Sequence, residues 1–329
     1  MSARPGVGFL GVGWIGRHRM EAMLATGAIE AVAIADPSTE NAAEAAKLAP
    51  QAGIVGSLDD MLAQEVDAVV IATPSALHAE QSIRAFEAGA AVFCQKPLGR
   101  SAAEVQAVVD AARAADRLLG VDLSYRCTEG MRLIRALIQG GELGDIYAAE
   151  LIFHNAYGPD KDWFYDRTRS GGGCVIDLGV HLVDLALWAL DFPQVSDVAA
   201  RLLAGGEPLR ADDARVEDYA AATISLETGA AIQLACSWRL QAGREAIISA
   251  AFYGTAGGAA LRNIGGSFYD FTAERYRGTS TETLSAPPDA WGGRAAAEWA
   301  LRLAADKGYD PAADRLVDVA RVLDLIYAH

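Results

Sequence analysis

The amino-acid sequence predicts an α/β protein of two domains, the first of them built on a doubly wound parallel sheet. Short apolar runs alternate with Ala-rich amphipathic stretches over the first third of the 329 residues. Uninterrupted apolar runs are typical of strands buried on both faces, and helical crossovers between them imply parallel pairing. The apolar runs are 7–10, 31–35, 68–72, 90–94 and 118–121. The helical stretches lie near 15–26, 39–49, 76–88 and 101–115.

After Leu123 the pattern changes to one that is typical of a mostly antiparallel sheet with helices on one face. Strands separated by turn signals occupy 195–275, and Glu227-Thr228-Gly229 between two apolar runs predicts a hairpin. The other predicted elements are a helix at 128–139, a strand at 146–155, a helix near 177–189, and two final helices near 291–306 and 311–327. We therefore predict one domain over residues 1–122 and a second over residues 123–329.

The composition excludes several classes of function. With 28 basic and 43 acidic side chains the net charge is −15, which disfavours binding to nucleic acid or to an anionic membrane surface. The four cysteines contain no C-x-x-C pair, so we expect reduced thiols instead of disulfides or a zinc site. No run of about 18 apolar residues occurs, and the N-terminus fits a first strand better than a signal peptide. We expect a soluble, cytoplasmic protein without a metal.

The turn Gly11-Val12-Gly13-Trp14-Ile15-Gly16 follows the first predicted strand and opens the first predicted helix. This G-x-G-x-x-G spacing provides a tight turn, close backbone approach to a pyrophosphate, and close packing of helix on strand. Asp36 lies 20 residues after Gly16, where a carboxylate accepts the ribose hydroxyls of NAD and repels the extra phosphate of NADP. A chance cluster in a glycine-rich chain is the alternative. Because strand, helix and acid accompany the glycines, we predict an NAD site, with NADP disfavoured.

Two polar segments follow other predicted strands, at the sheet edge where open parallel sheets bind ligands. One is Thr73-Pro74-Ser75, with His78 opening the next helix, and the other is Gln95-Lys96-Pro97. We assign both to the cofactor site, with Lys96 projecting towards the nicotinamide. A solvated surface lysine is the alternative for Lys96.

A triple glycine at 171–173 precedes a segment in which Asp177 and His181 are four residues apart and would share one helix face. His181 lies among apolar residues, where a histidine is often a hydrogen-bonded core residue, and Asp184 has the alternative role of bracing the same face. A zinc site is a third interpretation, which lacks a further His or Cys cluster to supply ligands.

Taken together, these motifs resemble the glucose–fructose oxidoreductase, inositol dehydrogenase and rhizopine-catabolism family (Gfo/Idh/MocA). The resemblance spans nearly the whole chain. It is carried by the glycine turn, Ala72-Thr73-Pro74-Ser75 with His78, Gln95-Lys96-Pro97, Tyr125-Arg126, Trp163, Asp166, the segment 170–184, and Tyr253-Gly254-Thr255-Ala256-Gly257.

The resemblance implies an N-terminal Rossmann domain and a C-terminal α/β domain whose open sheet makes a homodimer or homotetramer. It also implies that Lys96, Asp177 and His181 form the catalytic group. The family's usual motif is Glu-Lys-Pro, often with a cis Lys–Pro bond, and here Gln95 replaces the glutamate.

The hypothesis that follows is hydride transfer between a sugar or polyol hydroxyl, or its oxidised product, and NAD. His181 acts as general base, Lys96 donates to the reacting oxygen, and Asp177 positions the hydroxyl or the imidazole. The candidate substrate contacts are Tyr125, Arg126, Asn155, Trp163 and Tyr165, for which packing at the domain junction is the alternative. Two other functions remain open. One is glycoside hydrolysis through transient oxidation by bound NAD, and the other is a non-catalytic sensor of dinucleotide or sugar.

Overall fold

The computed structural model describes residues 4–210 and 213–328, which form two compact units. The first unit contains the chain up to Ser124 together with Gly293–Val317. The second contains Tyr125–Gly292 and the residues from Asp318 onwards.

The first unit is built on a six-stranded sheet in which every neighbouring pair of strands is parallel. Its strands are β1 (Gly6–Leu10), β2 (Glu30–Ala35), β3 (Gly53–Ile54), β4 (Ala68–Ile71), β5 (Ala91–Cys94) and β6 (Leu119–Val121). The order β3-β2-β1-β4-β5-β6 is that of a doubly wound dinucleotide-binding sheet. The predicted sheet is thereby confirmed, and the sequence missed only the two-residue edge strand β3.

Helices connect these strands, as parallel pairing requires. They are α1 (Trp14–Ala25), α2 (Thr39–Ala46), α3 (Leu58–Leu62), α4 (His78–Glu87) and α5 (Ala102–Ala115). The N-cap serines Ser38, Ser57 and Ser101 each accept a hydrogen bond from a backbone N–H in the first turn of α2, α3 and α5. Strands β4 and β5 are buried at every residue, which explains why the sequence shows no polar alternation there.

The second unit contains a nine-stranded sheet in which only one neighbouring pair of the described strands is parallel. Its strands are β7 (Ile146–Asn155), β8 (Val195–Ala204), β9 (Glu207–Pro208), β10 (Tyr219–Leu226), β11 (Ala231–Ser237), β12 (Ala246–Gly254), β13 (Gly258–Asn263), β14 (Phe271–Arg277) and β15 (Ser280–Ser285). The order is β15-β14-β13-β12-β7-β11-β10-β8-β9, with β7 parallel to β11. Buried and half-buried residues alternate along β10, as expected for a sheet with one covered face. The predicted mostly antiparallel sheet and the hairpin at Glu227-Thr228-Gly229 are confirmed.

The helices of this unit are α6 (Glu129–Gln139), α7 (Arg167–Ser170) and α8 (Val180–Ala189), with a π-helical turn at Val175–Gly179 that leads directly into α8. The stretch Arg167–Ala189 has the length and apolar composition of a membrane span. However, 89% of its most apolar window is buried inside the protein, as in a helix of the hydrophobic core. Residues of α8 and of the buried sheet face form one core cluster.

The last part of the chain differs from the predicted domain division. That division places helix α9 (Arg294–Ala305) in the second domain, but the helix packs within the first unit, against α1 and β5. The physical reason is Trp299, whose ring lies 5.5 Å from the ring of Phe93 between centroids. A Cβ on Gly120 would lie 2.4 Å from the Trp299 ring, so the glycine makes room for it. The chain ends its described part with α10 (Arg315–Tyr327).

We expect Trp299→Ala to destabilise the protein by about 3–5 kcal/mol, because it removes a buried aromatic ring that packs on β5 and β6. Leu301→Ala is the matched control on the same helix. Leu301 is 54% exposed, so we expect a change of about 0.5 kcal/mol or less. Urea unfolding of both variants measures the difference, and equal losses would contradict the packing of α9 in the first unit.

Candidate active site

The glycine turn between β1 and α1 has the close backbone contacts that its spacing predicts. Gly11 has φ +81°, and a Cβ there would lie 2.6 Å from the carbonyl oxygen of Ala72. A Cβ on Gly16 would lie 2.1 Å from the carbonyl oxygen of Gly11. These two positions therefore require glycine, one for its conformation and both for the approach of neighbouring backbone.

The space around Gly13 is open, because a Cβ there would meet only the Asn41 side chain, at 4.0 Å. Helix α1 begins at the next residue, Trp14, and its N-cap Gly13 has no side chain with which to satisfy the first N–H groups. Open space beside the N-terminus of a twelve-residue helix is the arrangement that receives an anionic pyrophosphate. Trp14 is 64% exposed and its ring stacks on His18.

Asp36 follows β2 and is tied to the same turn. Its carboxylate accepts hydrogen bonds from the backbone N–H of Val12 (2.8 Å) and of Ser38 (2.8 Å). The acid is thus fixed beside the glycine turn, which is the placement expected for a carboxylate that binds ribose hydroxyls. Together, the glycine contacts, the open space at Gly13 and the fixed acid fit a dinucleotide.

The polar segment after β4 is braced by His78. The ring Nδ1 of His78 lies 2.6 Å from the carbonyl oxygen of Pro97, and Nε2 lies 2.7 Å from that of Thr73. Burial lowers the pKa of His78, and the two carbonyl oxygens, which accept only from N–H groups, oppose that shift. His78 therefore joins the segment after β4 to the segment after β5, with Pro74 and Ser75 between Thr73 and α4. A cofactor contact by His78 itself stays a prediction, since both ring nitrogens face backbone carbonyls.

Lys96 lies just beyond β5, is half-buried, and precedes Pro97 through a cis peptide bond, the form that the resemblance implied. Its neighbour Gln95 is buried and donates a hydrogen bond to Asp122 (2.6 Å). In this unit the structure thus brings Thr73, His78, Gln95 and Lys96 to the ends of two adjacent strands.

In the second unit, Asp177 lies in the π-helical turn and His181 in the first turn of α8. The sequence predicted an α-helical spacing for this pair, and the π-turn changes that local geometry; such turns are frequent at functional sites. The two side chains have different neighbours. Asp177 accepts a hydrogen bond from the indole Nε1 of Trp238 (3.1 Å), whereas the His181 ring packs edge-on against Tyr125 at 4.9 Å.

Trp238, at the end of β11, was not singled out by the sequence and belongs to an aromatic cluster with two predicted residues. Its ring lies 5.6 Å from that of Tyr165, and Trp163 stacks on Phe164 at 3.8 Å. The Phe164 ring in turn lies 6.4 Å from Trp238. Asp177 is therefore held at the edge of a cluster of four rings.

The other predicted substrate contacts have partners of their own. Arg126 makes a bidentate ion pair with buried Asp184. Asp184 therefore has the bracing role that was one of the alternatives left open by the sequence. Tyr125 is buried at the centre of an aromatic group that includes Phe153 and Trp291. Asn155 ends β7, where its carbonyl oxygen accepts from the N–H of Leu240 (2.9 Å). A substrate role for each of these residues stays a prediction.

A further residue missed by the sequence, Glu217, holds the start of the helix that carries Asp177 and His181. Its Oε1 accepts hydrogen bonds from the N–H groups of Gly173 (2.9 Å) and Val175 (2.9 Å) and from the Tyr327 hydroxyl (2.7 Å). A Cβ on Gly173 would lie 1.9 Å from the Glu217 carbonyl oxygen, so the triple glycine serves this approach. Gly173 and Glu217 are 44 residues apart in the sequence. No local sequence pattern predicts a contact over that separation, so the sequence did not identify Glu217.

The parallel sheet of this order, the glycine turn and the fixed acid define a Rossmann-type, dinucleotide-binding protein. Comparison with known families gives the particular family. The model of the oxidoreductase family with an NAD-binding Rossmann fold matches residues 6–123, and that of the GFO/IDH/MocA C-terminal domain matches residues 131–260. The chain belongs to the Gfo/Idh/MocA family and is an NAD(P)-dependent dehydrogenase.

Individual relatives agree with this assignment. The chain is 30% identical over 247 residues to the D-glucoside 3-dehydrogenase of Escherichia coli K12, covering 71% of this chain and 70% of that one. It is 30% identical over 232 residues to the inositol 2-dehydrogenase of Acidiphilium cryptum, covering 69% and 66%. The crystal structure of GenD2 from gentamicin A biosynthesis, in complex with NAD, matches with TM-score 0.80 and 25% identity over 100% of this chain and 94% of that chain.

Within residues 4–210 and 213–328, no group of three or more His, Cys, Asp or Glu side chains is arranged to hold a metal ion. The four cysteines are buried, and burial raises the pKa of the Cys94 and Cys174 thiols.

We expect Asp36→Asn to shift the NADP-to-NAD ratio of kcat/KM towards NADP by roughly 100-fold. The substitution removes a fixed negative charge that opposes the additional phosphate, and like charges in contact cost several kcal/mol. Steady-state kinetics with both cofactors measure the ratio. Asp60→Asn, which removes an exposed carboxylate on α3, is the control for removal of a carboxylate elsewhere in the same unit. An unchanged ratio in Asp36→Asn would contradict the ribose-binding role.

We expect Glu217→Ala to destabilise the protein by about 3 kcal/mol or more, because it leaves buried donors at 173, 175 and 327 unpaired. Glu217→Gln keeps Oε1 and is the matched control, with an expected loss of about 1 kcal/mol or less. We call these three hydrogen bonds to Oε1 the Glu217 clamp. Unfolding in urea measures the stability of both variants, and similar losses would contradict the role of the clamp.

We also expect the difference in stability between wild type and Glu217→Gln to depend on pH. Burial raises the pKa of Glu217 above its ordinary value of 4.5, so the folded state holds a proton that the unfolded state releases. The contribution of this carboxyl to stability therefore decreases as the pH rises from about 4.5 towards the folded-state pKa. Relative to wild type, Glu217→Gln should gain stability over that interval. Urea unfolding at a series of pH values measures this, and a constant difference in unfolding free energy between the two proteins would contradict the raised pKa.

Proposed function

We propose that this protein transfers a hydride between a hydroxyl-bearing carbon of a sugar or polyol and NAD, in one direction or the other. The observation that carries the proposal is the cluster in which Trp238 donates to Asp177 beside Trp163 and Tyr165. Rigid rings with polar edges, next to a fixed carboxylate, suit a ligand that has apolar C–H faces and many hydroxyl groups.

Asp177 accepts a hydrogen bond from Trp238 and is itself half-buried, so its carboxylate has a fixed orientation. We assign it the role of orienting the substrate. The cluster is itself held in place, since the Tyr165 hydroxyl donates to the carbonyl of Pro159 (2.9 Å) and accepts from Arg239 (3.2 Å). A preformed arrangement reduces the entropy lost when the ligand binds.

His181 is assigned the role of general base. It is buried, and its ring is oriented by packing on Tyr125 and, at 6.4 Å, on Phe153. An imidazole has an unperturbed pKa near neutrality, which suits the exchange of a hydroxyl proton. Lys96 is assigned the role of a hydrogen-bond donor whose ammonium stabilises negative charge that develops on the reacting oxygen. When bound, NAD supplies the acceptor for the hydride.

The names of the relatives support a broad proposed class of substrates. The names of two of them specify a glucoside and an inositol, which share secondary hydroxyl groups on a six-membered ring. We therefore propose a free sugar, glycoside or cyclitol as substrate, and NAD as the preferred cofactor because Asp36 is fixed beside the glycine turn.

The test is a panel of aldoses, methyl glucosides, inositols and sugar acids with NAD, followed by nicotinamide absorbance. For the substrate that is turned over, we expect His181→Ala and Lys96→Ala to lower kcat/KM by about 10²- to 10⁴-fold each. Lys47→Ala is the control for loss of a lysine, since Lys47 is exposed on the first unit and pairs only with Glu44 among the contacts of the described chain. Retention of most turnover in either site variant would contradict the assigned roles.

The same panel separates dehydrogenation from hydrolysis. Dehydrogenation of a glycoside gives one reduced NAD for each molecule oxidised, with the glycosidic bond intact. Release of free aglycone without net reduction of NAD would contradict the proposal and indicate transient oxidation with glycoside cleavage.

A further inference from the structure

A single buried carboxylate, that of Asp122, connects three segments of the first unit. Asp122 directly follows β6 and is 2% exposed. Its Oδ2 accepts from Arg19 Nε (2.6 Å) on α1 and from Gln95 Nε2 (2.6 Å) just after β5. Its Oδ1 accepts from the Ser124 hydroxyl (2.5 Å), which in turn accepts from Arg19 (3.2 Å). All four side chains are buried, so solvent screens none of these interactions effectively.

The charges of this group explain why residue 95 is an amide. Arg19 contributes one positive charge and Asp122 one negative charge, whereas Gln95 and Ser124 are neutral hydrogen-bond donors to the carboxylate. A glutamate at position 95 would place a second carboxylate oxygen about where Gln95 Nε2 now lies, 2.6 Å from Asp122 Oδ2. Two carboxylates would then share one guanidinium, and one of them would have to bind a proton.

The group also controls the backbone next to Lys96. The N–H of Gln95 donates to the carbonyl of Ile71 (2.8 Å), and the N–H of Asp122 donates to the carbonyl of Cys94 (2.9 Å). Residue 95 is therefore held through its backbone by β4 and through its side chain by Asp122. Lys96 is the next residue, so its Cα is fixed by the same contacts.

We propose that Asp122 is a positioning residue for Lys96, acting through Gln95, and that positions 95 and 122 share one obligatory negative charge. The proposal rests on the proposed function in one respect, namely that Lys96 acts in the reaction. The shared charge itself concerns folding and is independent of that function.

The shared charge is tested with Gln95→Glu, Asp122→Asn and the double variant Gln95→Glu/Asp122→Asn. Gln95→Glu adds a second carboxylate, and Asp122→Asn leaves the buried Arg19 without an anion, so we expect each single variant to unfold at lower urea than wild type. The double variant again has one carboxylate for Arg19. We expect it to unfold at higher urea than either single variant, because the two sites are coupled.

The positioning role is tested with Gln95→Leu, which keeps the Arg19–Asp122 ion pair and removes only the hydrogen bond that holds residue 95. We expect kcat to fall roughly tenfold or more, because a small displacement of a reacting group has a large effect on rate. The KM for NAD should stay within about twofold, since the glycine turn and Asp36 are untouched and the Gln95 amide is buried against Asp122. Partial recovery of kcat in the charge-swapped double variant, relative to its parent single variants, is expected as well.

Asp110→Asn is the matched control, because it removes an exposed carboxylate that pairs with Arg113 on α5. We expect no change in unfolding or in kcat. Additive losses of stability in the double variant would overturn the shared charge, and an unchanged kcat in Gln95→Leu would overturn the positioning role. If Lys96→Ala retains turnover, the proposed function of Lys96 and its positioning both fail, whereas the unfolding data still decide the shared charge.

Discussion

The close approach of two backbone segments at the glycine turn is the constraint on which the dinucleotide unit depends. Gly16 on α1 lies against the carbonyl of Gly11, and Gly11 lies against the carbonyl of Ala72, which follows β4. A methyl group at either position would overlap these oxygens, so α1 could not keep its distance from β1 and β4. The position of α1 then determines where its N-terminus presents its N–H groups and where Arg19 meets Asp122.

In the second unit, the start of a helix is also fixed by a close contact, but the contact is made by the carboxylate of Glu217 and not by a glycine turn. Glu217 satisfies N–H groups at the beginning of the π-helical turn, and Tyr327 reaches the same oxygen from the last helix. Because the donors are buried, their pairing with Glu217 contributes directly to the stability of this helix start. Asp177 and His181 project from the helix that this clamp holds, so two residues distant in sequence fix the orientation of the proposed catalytic side chains.

Each unit therefore holds its own proposed reacting groups with buried polar contacts. In the first unit these are the Asp122 group and His78, which joins the carbonyls of Thr73 and Pro97. In the second they are the Glu217 clamp and the indole of Trp238. A catalytic group retains its geometry only when the residues behind it are themselves fixed, and hydrogen bonds in a buried environment fix orientation as well as distance.

Much of the fold was predictable because its signals are local. Buried parallel strands appear as continuous apolar runs, and the G-x-G-x-x-G spacing reports the turn itself. The short strand β3, at the sheet edge, has only two residues and too little apolar character for detection. The place of α9 in the first unit was not predictable, since it follows from the fit of Trp299 beside Gly120 and Phe93, which are far away in sequence.

For the site, the sequence by itself determined the residue types that chemistry requires: the glycines, Asp36, Lys96, Asp177 and His181. Only the tertiary structure decided what holds them and which neighbours they have. It paired Arg126 with Asp184, introduced Trp238 beside Asp177, and brought Gln95 to Asp122. The physical reason is that a hydrogen bond depends on distances of about 3 Å between atoms, and folding sets these distances between residues that no sequence spacing relates.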